Sequence, residues 1–162
     1  MKDITLIAEE IGIPTHRFKE MLGMPLESCS ATTLEEAKAA YDAAPGDSEI
    51  QYVALLRWIE FCTTTEEIGV AYNITPSYSK AERAALLRWI ELCKTVEEAK
   101  AAYDATSGDG ETEPAAFLKW NEFSLKQVES ASTVEEAKAA YEAAPGDSEA
   151  ERAALKKIYD LF

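Results

Sequence analysis

Four pairs of adjacent glutamates are the groups in this chain most able to do chemistry: Glu35 with Glu36, Glu66 with Glu67, Glu97 with Glu98, and Glu135 with Glu136. Paired carboxylates can serve as general acid and base. Each pair, however, sits just after a threonine (Thr33, Thr64, Thr95, Thr133), so that the second glutamate falls three residues beyond it. That is the spacing of a capping box, in which hydroxyl and carboxylate each satisfy an orphan backbone N–H at a helix start. Carboxylates there also face the positive end of the helix dipole. Because the pair recurs four times, we read it as structural and expect no catalytic residue among the glutamates.

The other reactive side chains are few. His16 is the sole histidine, and Cys29, Cys62 and Cys93 are the only thiols. An odd cysteine count suits a reducing compartment. Cys62 and Cys93 hold matching places in consecutive units, so their separation should be one helix-to-helix distance, about 8–10 Å, too far for a disulfide. They are expected as small buried hydrophobes. The chain offers no glycine-rich phosphate loop, no cysteine pair at metal spacing and no nucleophile motif. An enzyme is therefore not expected, and neither cofactor nor metal.

The elements that must position these residues are repeats. From each threonine, a tyrosine follows eight residues on (Tyr41, Tyr72, Tyr103, Tyr141), and Trp58, Trp89, Trp120 and Ile158 close the units. Such a fixed period, in the range of about 20 to 50 residues, marks stacked supersecondary units that cannot bury their apolar faces alone. In the last unit Ala137, Ala140, Tyr141 and Ala144 form a helical stripe, Pro145 and Gly146 stop it, and Ser148 with Glu151 has the spacing to start a second helix. Each unit thus reads as an antiparallel helical hairpin.

The columns differ between copies. Leu55, Leu86, Phe117 and Leu155 stay large and apolar, as do Phe61, Leu92, Phe123 and Leu161, and both columns are expected in the hairpin core. Leu56, Leu87 and Leu118 become Lys156 in the last copy, which suggests that this site packs on the following repeat and that the last copy is a cap with a polar outer face. The three tryptophans could stack on a ligand, but core packing is the better reading. Ser124 to Ser130 is an insert that should add a short helix, with a related segment from Met24 to Ser30.

The domain plan is residues 1–32 as an N-terminal capping hairpin plus a short helix, followed by repeats over 33–63, 64–94, 95–132 with the inserted helix, and 133–162 as C-terminal cap. The units resemble the helical-hairpin repeats of the α-solenoid class, of which tetratricopeptide repeats are the best known. They depart from the tetratricopeptide pattern in their Tyr141 to Ala154 spacing and in Pro45, Pro76 and Pro145, which fall inside the hairpin. The string from Thr133 to Tyr141, with Pro-Gly-Asp-Ser-Glu-Ala after it, looks more like an uncharacterised bacterial repeat, over residues 31 to 162. The resemblance implies an all-α fold, a right-handed-type α-solenoid of about five stacked hairpins, and carries no function with it.

Ile7, Ala8, Ile11, Gly12, Ile13, Phe18 and Met21 resemble a helix-turn-helix over Thr5 to Leu22. That resemblance implies His16, Arg17 and Lys19 as contacts on a recognition helix, although Asp3, Glu9, Glu10 and Glu20 cancel their charge and no third helix follows. A capping hairpin with an exposed His16 is the simpler expectation.

The formal net charge is -14, well beyond the magnitude of roughly 2 to 8 that serves solubility. Such a field repels nucleic acid and anionic membranes and draws in basic partners. No run of apolar residues is long enough to span a bilayer and no secretory leader is seen, so a cytoplasmic protein is expected. The leading function is protein–protein interaction or scaffolding, with an unknown protein or peptide, of basic character, as partner; homo-oligomer formation is also open. The alternative is a DNA-binding regulator that uses residues 5 to 22, with the repeats as dimerisation arm. The second copy departs most from the others, at Ile68, Gly69, Val70, Asn73, Ile74 and Tyr78, and these are the candidate partner-binding residues.

Overall fold

Helix starts in this protein are set by side-chain caps. In the computed structural model, which describes residues 8, 13–23, 29–77 and 79–162, the hydroxyls of Thr33, Thr64, Thr95 and Thr133 accept from the backbone N–H of Glu36, Glu67, Glu98 and Glu136, all at 3.2 Å. The same glutamates fold back: Glu36, Glu67 and Glu136 accept from the N–H of Thr32, Thr63 and Ser132 at 2.7 Å. These bonds to the charged form hold the three carboxyls below their ordinary range. The second helix of the first, second and fourth hairpins is capped by serine, whereas that of the third begins after Thr112 with no side-chain cap. Ser48, Ser79 and Ser148 accept from Gln51, Glu82 and Glu151 at 3.1 Å. Before two of these caps the chain turns through Asp47 and Asp147, with φ of 57° and 58°, a left-handed conformation that aspartate tolerates better than most residues.

Every regular element among the described residues is a helix. They are α1 (Thr15–Met21), α2 (Leu34–Ala43), α3 (Glu49–Phe61), α4 (Thr65–Asn73), α5 (Lys80–Leu92), α6 (Val96–Thr106), α7 (Glu113–Ser130), α8 (Val134–Ala143) and α9 (Glu149–Leu161). None is long and apolar enough to cross a membrane. The chain divides into two compact units, residues 1–88 and 89–162, the division falling within α5.

In the first unit, α2 packs along α3, α3 meets α4, and α1 lies against α3. Tyr41 and Trp58 meet edge to face at 5.7 Å, and Lys38 Nζ lies over the same indole at 5.3 Å. In the second unit, α6 pairs with α7 and α8 with α9, and α7 also packs on both α8 and α9. Tyr103 and Trp120 repeat the aromatic pair at 5.3 Å, with Lys100 Nζ 5.8 Å from the indole.

Small residues, mostly alanine, are the most completely buried positions of the hairpins. Ala37, Ile68, Ala99 and Ala137 on the first helices and Ala54, Ala85, Ala116 and Ala154 on the second are all fully buried. Leu55 and Leu86 are buried as expected, but Phe117 is only partly buried and Leu155 is exposed. The next column is not uniformly buried either: Leu56 is partly buried, Leu87 is exposed and Leu118 is 66% exposed.

The insert from Ser124 to Ser130 extends α7 without a break, giving a helix of 18 residues, where a separate short helix was expected. No proline or glycine interrupts the pattern, and the buried Ser124 and Val128 prolong one face at helical spacing. Of the segment from Met24 to Ser30, residues 24–28 lie outside the described residues, as does the first half of the expected N-terminal hairpin apart from Ala8.

Candidate functional site

The second copy of the repeat places its unusual residues on two opposite faces of α4. Ile68 and Ala71 are fully buried, so Ile68 enlarges the hairpin core and is withdrawn from any surface. Val70, one residue on, is 54% exposed, and Ile74, at the helix end, is 36% exposed. Asn73 is exposed between them and Gly69 is half-buried. Spacings of three and four residues put Val70, Asn73 and Ile74 on one side. Tyr78 lies outside the described residues.

The comparison with the other copies gives this face its meaning. Ala39, Ala101 and Ala139 stand where Val70 does, and Ala43, Ala105 and Ala143 where Ile74 does. Asp42, Asp104 and Glu142 correspond to Asn73, and Lys38, Lys100 and Lys138 to Gly69. The second copy has therefore exchanged charge for exposed aliphatic surface at adjoining positions. Chemically such a face can bury apolar side chains of a partner, with the exposed Glu66 carboxylate one turn earlier on the same side.

A concavity lies in the 89–162 unit. Tyr103, Gly110, Glu113, Pro114, Phe117 and Leu118 line an open cleft of about 540 Å³. The Glu113 carboxylate accepts from Tyr103 Oη at 3.5 Å and from the Gly108 N–H at 3.4 Å. The walls are otherwise apolar. Among the described residues, no three His, Cys, Asp or Glu side chains gather closely enough to hold a metal ion.

The residues read as DNA contacts are placed otherwise. His16 is 4% exposed, not exposed as expected, and stacks on Tyr52 with ring centroids 4.3 Å apart. Burial lowers its pKa, against the opposing effect of a hydrogen bond with the Asp47 backbone. Lys19 pairs with Glu49. Tyr52 Oη donates to Glu20 Oε2 at 2.9 Å, and Lys80 Nζ lies 3.8 Å from the other oxygen of Glu20. Desolvation and this carboxylate raise the Tyr52 pKa. His16, Lys19 and Glu20 of α1 are therefore engaged with Tyr52 and Glu49 of α3 and with Lys80, a cluster that no spacing rule in the sequence revealed.

Cys62 and Cys93 are buried free thiols, each directed at a carbonyl one turn back, Trp58 O and Trp89 O, at 3.2 Å. Burial pushes both pKa values up to about 11, which makes them packing residues and not nucleophiles. No protein family, curated protein or solved structure matches this chain.

Proposed function

We propose that this protein is a non-enzymatic protein–protein interaction module, a helical-repeat scaffold of the tetratricopeptide-like, α-solenoid class, working in the reducing cytoplasm and engaging a partner through the outer face of α4. The observation that carries the reading is the pair of exposed aliphatics, Val70 and Ile74, on a helix whose three counterparts present alanine there. Two adjoining aliphatics exposed where the other copies carry alanine support an apolar contact site at this face. The charge of -14 supports a basic protein or peptide as the partner, steered by the field and anchored by the aliphatics.

The test is capture of partners from native cells by the wild-type chain and by a triple variant, Val70→Ala, Asn73→Asp and Ile74→Ala, which restores residues found in the other copies. Loss of a specific partner with helicity intact by circular dichroism is the expected outcome. Equal capture by both chains would remove this face from consideration.

The DNA-reading alternative draws less support, because His16 is buried and Lys19 is paired, which leaves Arg17 alone of its three contacts. Fluorescence anisotropy with random duplex DNA at low salt distinguishes the two readings. Non-specific binders reach dissociation constants of roughly 0.1 mM to 1 µM even at physiological salt, so an unchanged signal at tens of micromolar counts against DNA.

A further inference from the structure

In the fourth copy, residues at columns that the earlier copies bury are exposed. Aligned on the closing position of each unit, Tyr159 corresponds to Ile59, Ile90 and Asn121, and Phe162 to Cys62, Cys93 and Ser124. Ile59, Ile90, Cys62, Cys93 and Ser124 are all buried. Tyr159 is 82% and Phe162 88% exposed, and Leu155, one turn earlier on the same side of α9, is exposed too.

Within the 89–162 unit the structure shows twice what covers this face. Ile90 and Cys93 pack in one cluster with Ala99, Ala102 and Ala116 of the hairpin that follows them. One repeat later, Asn121 Oδ1 accepts from the Ala150 N–H at 3.0 Å, Trp120 Nε1 donates to Ala143 O at 2.8 Å, and Val128 packs with Ala140 and Ala154. The trailing face of one hairpin is thus complementary to the leading face of the next, built around the columns of Ala140 and Ala150.

In the first copy the same columns are less buried. Ala71, Ala102 and Ala140 are buried, but their counterpart Ala40 is only partly so. Ala81, Thr112 and Ala150 are buried, but their counterpart, Ile50, is 47% exposed. A large aliphatic thus stands exposed where every later copy has a small buried residue. Charge agrees with the match. Arg152 and Lys156 are exposed beside Leu155 and Tyr159 on α9, and Asp42 and Asp47 are exposed on the α2–α3 hairpin.

We infer that the chain associates head to tail with a second copy of itself, the Leu155–Tyr159–Phe162 face of one molecule docking on the Ala40–Ile50 face of another, in the manner in which α7 meets the α8–α9 hairpin. The contact is heterologous, since two different surfaces meet. It is independent of the α4 face, which takes no part in it.

Sedimentation velocity over a concentration series tests this with three chains: wild type, Ile50→Asp, and Tyr159→Asp with Phe162→Asp. All three sites are exposed, so folding should be retained, and circular dichroism checks it. Wild type should rise in mass with concentration, while each variant alone should stay at the 17.8 kDa monomer. A one-to-one mixture of the two variants should form a dimer that grows no further, because each supplies the face the other lacks. Wild type that stays monomeric overturns the inference. So does continued association of the Ile50→Asp variant, which would mean that α9 pairs with itself, or a mixture that fails to recombine.

Discussion

His16 shows how much a single side chain's surroundings decide. Its ring is stacked on Tyr52 and its Nδ1 is buried without a hydrogen-bond partner, so a proton added there would be charged in a desolvated place next to the Arg17 that also disfavours it. Glu20 and Asp47 pull the other way but do not win. The folded pKa is therefore below the ordinary 6.5, and the unfolded chain binds the proton more readily than the folded one. By linkage, the stability due to a neutral His16 is complete above the unfolded value and is lost as pH falls from there toward the folded pKa. A urea titration monitored by Tyr and Trp fluorescence should accordingly show the midpoint dropping as pH is lowered from 7.5 through the ordinary histidine range. His16→Phe, which keeps the ring on Tyr52, should flatten that drop. An equal drop in the variant would place the proton elsewhere. In the sequence His16 carries no sign of this, because the residue that buries it is Tyr52 on another helix, at a site where the other copies carry Arg83, Pro114 and Arg152. Ile68 was misplaced for a related reason: a departure from the repeat consensus marks a position as unusual but does not say which side of α4 it faces.

At the scale of the helix, the same three-residue spacing means two different things. Thr133 and Glu136 lie at a true helix start, and both halves of the capping box form. Ser124 and Gln127 have similar spacing, yet Ser124 lies within α7, fully buried and with its Oγ lacking a partner. Opposite signs follow for one kind of substitution. Thr133→Ala should cost about 1 kcal/mol, the typical loss of an N-cap. Ser124→Ala should be neutral or gain roughly 1 kcal/mol, since it removes a buried hydroxyl that has no hydrogen bond to lose. Chemical denaturation of both variants against wild type reads this directly, and a comparable loss from Ser124→Ala would mean that the hydroxyl caps a helix after all. Much of the element plan was legible from sequence because caps and the Pro-Gly-Asp-Ser turn are local chemistry: both helices of the first and fourth hairpins fall where those signals put them, whereas the second helix of the third starts without a side-chain cap and runs on through the insert. What was not legible depends on contacts across helices. The Lys156 substitution suggested a polar outer face for the last copy, but it did not reveal that Tyr159 and Phe162, nearby on the same helix and at its end, are exposed.

For the whole molecule, the excess of 30 acidic over 16 basic residues sets two electrostatic effects against each other. Short-range bonds favour the fold: Glu36, Glu67 and Glu136 hold backbone N–H groups at helix starts, and Lys19–Glu49, Arg57–Glu60 and Lys126–Glu122 are paired. Long-range repulsion among the unpaired carboxylates opposes it. Salt separates the two. The Debye length shrinks from about 30 Å at 0.01 M to about 10 Å at 0.1 M, so repulsion across the surface is screened while contacts at hydrogen-bond distance are affected much less. Exposed ion pairs within a helix are worth only about 0.3–0.5 kcal/mol each, so weakening them cannot offset the relief of repulsion. Stability at neutral pH should therefore increase with sodium chloride from 0.01 to 0.2 M. For a chain of this size each kcal/mol gained moves the melting temperature by about 2–4 °C. Chloride is the right anion for this test because sulfate would strengthen apolar burial irrespective of charge. The protein must also be dilute, since self-association would raise the melting temperature by mass action. A fall in melting temperature over that range would mean that the paired contacts, and not the net charge, dominate the electrostatics of the fold.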